Sequence, residues 1–286
     1  MALASAAGAQ PAWRQWLRRN PTMALGGALL VTMLLVALVA PWLGTVNPLD
    51  INPIQRIKPP SGEHWFGTDM LGRDVYSRVL YGSRISLAVG LIVATLSTGL
   101  GLLIGAVSGT VRVLDSVVMR VMDGLMAIPG ILLAVAITAL SKASLTSVIV
   151  ALTVPEIPRV VRLVRSLVLS LREQPYVEAA DALGASFWRV VFRHILPNTV
   201  APLIVQATYI CASAVIFEAY LSFLGAGTPP EIPSWGNMMA EGRSYIQLGF
   251  WIVLFPGLSL ALTVLGINLL GDGLRDHLDP RLRNRV

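Results

Sequence analysis

Six apolar stretches of the chain are candidate membrane crossings, the fourth of them short, and charged or proline-rich segments separate them. Met23 to Leu43 is the first, following Arg14, Arg18 and Arg19. At about 20 residues it exceeds the usual core of a secretory signal, roughly 7–15 residues, and Pro41 follows directly on the small residue where cleavage would fall, so a retained span is expected. Ile85 to Val107 carries no charge over 23 residues, enough for a hydrocarbon core of roughly 30 Å. Gly101, Gly105 and Gly109 share one face there, as close helix packing requires. A third span runs from about Asp115 to Leu140, with Arg120 and Asp123 spaced to pair and Pro129-Gly130 placed to bend it. The fourth is weaker: Leu145 to Val154, then Pro155-Glu156-Ile157-Pro158 and arginines at 159, 162 and 165 on one face, read as lipid-headgroup anchors. Thr199 to Leu224, containing Glu218, and Leu248 to Leu270 complete the set.

The stretch 173–198 breaks this pattern, with charge, aromatic rings and helix punctuation crowded together. Pro175 suits a first helical turn, Val177, Ala180 and Leu183 recur at helical spacing, and Gly184 suits a left-handed stop. Ser186 is placed to cap a second short helix through Phe187, Trp188, Val191 and Phe192, with Pro197 as its stop or as the start of the next span. Two short helices joined by a glycine turn, carrying exposed Phe and Trp, suit insertion into a groove on another protein.

The polar segment 44–84 contains four prolines, at 48, 53, 59 and 60, and from Asp74 a helix is expected to Tyr81, with Arg78 four residues on from Asp74. The periodicity divides the chain into a tail (1–22, disordered over 1–12), a first span (23–43), an outer segment (44–84), a core of five spans with an inner loop at 173–198 (85–272), and a tail (273–286). With both ends inside, inner segments hold 15 Lys and Arg and outer segments hold seven, the sign the positive-inside rule demands.

Composition agrees. The chain is 55% hydrophobic and 13% charged, where a soluble domain carries roughly 25% charged residues, and its mean hydropathy is +0.68. The +6 balance, 20 of its 22 cations being Arg, flanks apolar runs and therefore suits membrane topology rather than nucleic acid. Cys211 is the single cysteine and has no disulfide partner within the chain. The sequence holds no phosphate-binding G-x-x-x-x-G-K-[ST] loop, no metal-ligand spacing and no nucleophile–base motif, and His64, His194 and His277 lie far apart. An intramembrane enzyme is therefore not expected, no metal site is expected, and His64 reads as a plain loop histidine.

Glu178-Ala179-Ala180, then Gly184, then Leu196-Pro197 resembles the EAA loop of bacterial ABC-importer permeases. The commonest form has Ile two residues before Leu-Pro, where His194 stands here; Arg193-His194-Ile195-Leu196-Pro197-Asn198 resembles the peptide-importer branch. His64-x-Phe66-Gly67-Thr68-Asp69-x-Leu71-Gly72-Arg73-Asp74-x-x-Ser77-Arg78, followed by Gly82-x-Arg84-x-Ser86-Leu87, is similar to the C-type permease of dipeptide, oligopeptide and nickel importers. Ser222 to Gly227, Pro233-Ser234-Trp235-Gly236, Asn268 to Asp276 and Asp279-Pro280-Arg281 extend the resemblance, so that it covers the chain from about residue 64 onward.

The resemblance implies an all-α membrane protein of six transmembrane helices with the type I ABC importer fold. Both termini would be cytoplasmic, and coupling helices would lie between spans four and five. It implies residence in the bacterial cytoplasmic (inner) membrane. The partners would be a B-type permease subunit, one or two ABC ATPases, an extracytoplasmic binding protein and membrane lipid. ATP and Mg would sit on the ATPases, with no cofactor on this chain. It assigns ATPase coupling to Tyr176, Val177, Glu178, Ala179, Ala180, Leu183, Gly184, Ala185, Trp188 and Arg189. Asp69, Arg73, Asp74, Arg78, Glu218 and Trp235 become outer or pathway candidates; the first four read equally well as a folded cap whose charges pair with each other. Short peptides are the expected cargo, with nickel chelates or glutathione as alternatives. An ion-driven secondary transporter is the competing class, for which Glu218 alone is thin support.

Overall fold

A computed structural model describes residues 20–278. The disordered tail expected at 1–12, the arginines at 14, 18 and 19, and Asp279-Pro280-Arg281 lie outside the described residues. Within them helix alternates with turns, and there is no β-strand.

α1 (Pro21–Val39) opens with Pro in its first turn and ends in a 3-10 turn at Ala40–Trp42. A structured loop leads to α2 (Val75–Thr110), whose N-cap is Asp74: its carboxylate accepts from the Ser77 amide at 2.8 Å. The expected separation of a helix ending near Tyr81 from a span beginning at Ile85 is not found, since 36 residues form one rod. Nothing between them breaks it. Arg84 is absorbed by donating to the carbonyls of Ala37 at 2.5 Å and Leu38 at 3.0 Å, where α1 runs out of helical partners.

The third expected span is two helices, α3 (Arg112–Met126) and α4 (Gly130–Ala139), set at 86° across Pro129. α5 (Leu145–Arg172) outruns its ten-residue apolar head and passes straight through Pro155 and Pro158. It is held by α2: Gly101, Gly105 and Gly109 face Val160, Val164 and Val168, and a Cβ on Gly105 would stand 2.7 Å from the Val164 Cβ. The small-residue face is therefore a packing seam, as its spacing foretold.

α6 (Pro175–Ala182) and α7 (Phe187–Val190) follow. α7 is continuous, through one π-helical turn at Val191–Ile195, with α8 (Leu196–Phe223). Pro197 explains that turn: it has no N–H for the Arg193 carbonyl, and the Leu196 amide reaches back five residues to Val191. Pro197 therefore does not stop the chain's helical course; it stands in the first turn of α8, the start of the next span. α9 (Trp235–Gly242) follows, and Trp235, an outer or pathway candidate by sequence, is fully buried at its start. α10 (Trp251–Leu278) closes the fold and packs on α1 and α8.

By length and apolarity four helices can cross a membrane, at Pro21–Trp42, Val75–Thr110, Phe187–Phe223 and Trp251–Leu278. The bent α3–α4 pair makes five. α5 has the length of a crossing, but Glu156 and its arginines deny it the uninterrupted apolar composition of one.

Candidate coupling surface and polar sites

The Gly184 turn is a complete C-cap. Its φ of 79° is left-handed, the Ala185 amide donates to the Ala180 carbonyl at 3.0 Å, and the Gly184 amide donates to Asp181 at 2.9 Å. These are the two hydrogen bonds of a Schellman motif, and they fix the angle at which α7 leaves α6. Ser186 stands at the N-cap of α7, but its side chain caps nothing; only its carbonyl accepts, from Val190 at 3.1 Å.

Burial divides this segment into an anchor and a display. Val177, Val190, Val191 and Ile195 are buried, and Val177, Val190 and Ile195 join the main hydrophobic core. Ala180 and Ala185 are half-buried. Tyr176, Glu178, Ala179, Leu183, Gly184, Trp188 and Arg189 are exposed, Leu183 at 89% and Trp188 at 66%. Phe187 meets Trp188 edge-on at 5.3 Å, and Trp188 stacks on Phe192 at 5.8 Å. Exposed rings are gathered on an anchored helical knob, a shape suited to docking. Of the predicted coupling residues, Val177 cannot take part in such a contact, because it points inward.

The knob is tied to the helices behind it. Asn198 Nδ2 donates to Tyr176 Oη at 3.3 Å, and Arg172 donates to the Gly109 carbonyl at 3.2 Å. Higher up, Arg165 forks onto Asp115, Nη2 to Oδ2 at 2.6 Å, and Arg162 reaches Asp123 at 2.5 Å. The ion pairs differ from the one expected by spacing. Asp123 pairs with Arg162 instead of Arg120, and the arginines at 159, 162 and 165, expected as headgroup anchors, are engaged by Glu156, Asp123 and Asp115 respectively. For Arg162 and Arg165 the reason is tertiary, since α5 runs beside α3 and presents them to its carboxylates; Arg159 pairs within α5, three residues from Glu156.

At the other end the expected outer residues assemble into a charged network. Asp69 Oδ2 accepts from Arg73 Nε at 2.6 Å and from Arg78 Nη1 at 2.5 Å. Glu241 Oε2, from α9, accepts from Arg73 Nη2 at 2.6 Å and from Arg78 Nη1 at 3.1 Å. Two guanidinium groups thus face two carboxylates, with Arg78 only 1% exposed. The Trp251 indole adds a bond to the Thr68 carbonyl at 3.1 Å. The expected Asp74–Arg78 pairing is absent, because Asp74 is spent on capping α2 and on His64, 2.9 Å away. These contacts favour the folded cap over an open site. Glu241 was missed in the sequence, where nothing links it to a segment some 170 residues earlier.

Glu218 faces the bundle interior and is fully buried. Its Oε1 accepts from Ser222 at 3.1 Å, Thr228 at 3.3 Å and Ser234 at 2.8 Å, so one carboxylate gathers α8, the following loop and the N-cap of α9. Asn237 completes the knot by donating to the Thr228 and Pro229 carbonyls, each at 3.0 Å. Trp235 lies beside it, its indole N–H on the Val79 carbonyl at 3.0 Å.

Comparison with known proteins places this geometry. Residues 83–284 match the family model described as binding-protein-dependent transport system inner membrane component, and residues 9–60 match the N-terminal TM domain of oligopeptide transport permease C. A probable peptide ABC transporter permease of Sinorhizobium fredii is 53% identical over 94% of this chain and 92% of its own length. A dipeptide transport permease of Alkalihalophilus pseudofirmus is 42% identical, covering 95% of this chain and 91% of its own. A glutathione transport permease of Pectobacterium atrosepticum is also 42% identical, with the same coverage. Among solved structures, a chain of the inward-facing MetNI methionine ABC transporter superposes with a TM-score of 0.58 at 23% identity, covering 71% of this chain and 96% of that one. That likeness shows the fold, the helical permease fold of a type I ABC importer.

Proposed function

Because the chain belongs to the family of binding-protein-dependent transport system inner membrane components, as a multi-pass protein of the bacterial inner membrane, we propose that it is the C-type permease subunit of an ATP-driven importer of short peptides. In this family the permease is a transport subunit, not an enzyme in itself, and it works with ATPase subunits and a second permease. In our reading six helices cross the membrane with both ends cytoplasmic, a B-type partner completes the pathway, and an extracytoplasmic binding protein delivers cargo. The ATPases hold the ATP and Mg.

The observation that carries this reading is the aromatic knob at 175–195. Its exposed face, made of Tyr176, Leu183, Phe187 and Trp188 with Glu178 and Arg189 at hand, is offered to an ATPase groove. Its buried side, Val177, Val190 and Ile195, is continuous with the bundle. Force reaching the exposed face is transmitted to α8 directly through the continuous helix, and to α5 through the short α5–α6 turn. ATP does work through this chain only if the ATPases bind the knob differently in their open and closed states. In a Cys211→Ala background, Trp188→Cys should crosslink to an ATPase subunit, with a yield that changes on ATP binding. A knob that crosslinks only to extracytoplasmic reagents would sink the reading.

Glutathione, itself a modified peptide, is the second cargo reading, favoured by the relative named for its transport.

A further inference from the structure

Two proline sites face each other at the open side of the bundle, where Pro129 and Gly130 are exposed. One is the 86° break at Pro129, where α3 gives way to α4. The other is Pro155 and Pro158 within α5, which leave the carbonyls of Ala151 and Val154 without their helical donors. They are in contact: a Cβ on Gly130 would lie 3.4 Å from the Pro155 Cβ. Counting back from the 140–144 turn at 1.5 Å per residue, Gly130 lies about 15 Å along α4 and Glu156 about 18 Å along α5. Half of a hydrocarbon core is roughly 15 Å, so the break at Pro129 and the proline pair of α5 both fall near mid-depth. Irregular backbone at that depth is tolerated where it lines a cavity, and interrupted helices at mid-depth are how transporters build cargo sites.

A cavity is there. It has a volume of about 310 Å³, and Pro129, Gly130, Pro155, Glu156, Arg159 and Phe217 contribute to its wall. Glu156 is 6% exposed, a costly place for a carboxylate. Among the described residues its one ion partner is Arg159, at 3.0 Å, whose side chain is 58% exposed and free to swing aside. The remaining wall, with Ile131, Ala134 and Leu152, is apolar.

We propose that this cavity is a mid-membrane site for a zwitterionic short peptide, in which Glu156 receives the cargo's ammonium group and Arg159 its carboxylate. The inference rests on the importer reading above. An extended dipeptide spans about 7 Å, so the Glu156–Arg159 pair must part to admit it. One ion pair is exchanged for two, the site stays neutral overall, and small side chains meet the apolar wall. A cargo lacking the ammonium group leaves Glu156 buried without a cation, which gives selectivity for an amino terminus without a deep pocket.

The test uses the complete complex, both permeases with ATPases and binding protein, in lipid vesicles with radiolabelled dialanine. Glu156→Gln should lower the maximal uptake rate at least about thirtyfold, the smaller end of what breaking a buried charge contact costs, and Arg159→Gln, on the exposed partner, by a smaller factor. Half-saturating dialanine and ATPase stimulation by the loaded binding protein should stay at wild-type values, because delivery and coupling are untouched. Glu156→Asp should restore most of the rate. In a Cys211→Ala background, thiol labelling of Ile128→Cys, at the exposed rim, should slow when dialanine and ATP are both present, and should not slow once Glu156→Gln is added. Uptake and ATPase falling together would make the pair a structural staple and overturn the site, as would unchanged uptake in both variants. A wild-type complex whose ATPase does not respond to the binding protein would overturn the importer reading, a failure distinct from these.

Discussion

Asp115 and Arg165 hold α3 and α5 together by a two-pronged ion pair, Nε to Oδ1 at 2.5 Å and Nη2 to Oδ2 at 2.6 Å. Ser108, from the end of α2, donates to the same Oδ1 at 2.7 Å, so three helices meet on one carboxylate. Because the pair is only partly buried, side chains at 31% and 22% exposure, solvent screens it, and its net worth is about 1 kcal/mol or less. Asp115→Asn and Arg165→Gln should each lower the thermal midpoint of the purified protein by a few degrees at most. The double variant should fall no further than the worse single one, since residues in contact are not additive. Additive losses would mean that the two act separately.

The knob gives a sharper expectation. A side chain added at Gly184 meets nothing within 4 Å, so the cost of Gly184→Val is backbone strain alone, roughly 1–2 kcal/mol for a left-handed residue. That strain should redirect α7 without unfolding the bundle. Glu178 is exposed and makes no ion pair among the described residues, so Glu178→Arg alters only what an outside partner meets. Both variants should insert normally in the membrane while ATP hydrolysis is uncoupled from uptake. Normal uptake driven at the wild-type cost in ATP by either reconstituted variant would count against the coupling role.

The outer network should behave as a unit of structure. Arg78→Ala leaves Asp69 and Glu241 close together with one cation fewer, and stripping one partner from a buried charge cluster costs about 3–5 kcal/mol. The expected result is a protein that melts well below wild type, or is recovered in low yield, whatever cargo is present. Were Arg78→Ala as stable as wild type but slow in uptake, these residues would belong to cargo recognition instead of to a cap.

Much of this was legible in one dimension, and the gaps have a common cause. Gly184 and Pro175 act within their own turns, so their geometry follows from residue type. The seam of Gly101, Gly105 and Gly109 needed only periodicity, though not the name of its partner, α5. What failed was pairing. Arg120 and Asp123 have the right spacing on one helix, yet Arg162 takes Asp123 from across the bundle. Asp74 and Arg78 likewise have the right spacing, yet a helix cap claims the first and Glu241 the second. Local spacing offers an ion pair a few tenths of a kcal/mol, which any well-placed residue from another helix can outbid. The continuous rod from Phe187 to Phe223 was hidden for the opposite reason: Pro197 reads as a boundary unless a π turn absorbs it.

The α2–α5 seam supplies the last prediction, with its own control. A Cβ at Gly105 would stand 2.7 Å from the Val164 Cβ and 2.8 Å from the Val161 carbonyl oxygen, and at Gly109 it would stand 2.8 Å from the Val168 Cβ. The obstacle at Gly105 includes backbone, which cannot rotate out of the way, so Gly105→Leu must push the two helices apart. Overpacking of this kind costs about 1–3 kcal/mol, and here it also moves the helix that carries Glu156 and leads to the knob. Gly99 and Gly124 are helical glycines too, but a Cβ on either meets nothing within 4 Å. Gly99→Ala and Gly124→Ala should therefore match wild type or exceed it by up to about 1 kcal/mol, the helix-propensity gain of alanine over glycine. Melting of all the variants in one detergent, with uptake measured alongside, separates the two classes. If Gly105→Leu melted with Gly99→Ala, α2 and α5 would not be packed through these glycines, and the rigid link from knob to membrane core would have to run through α8 alone.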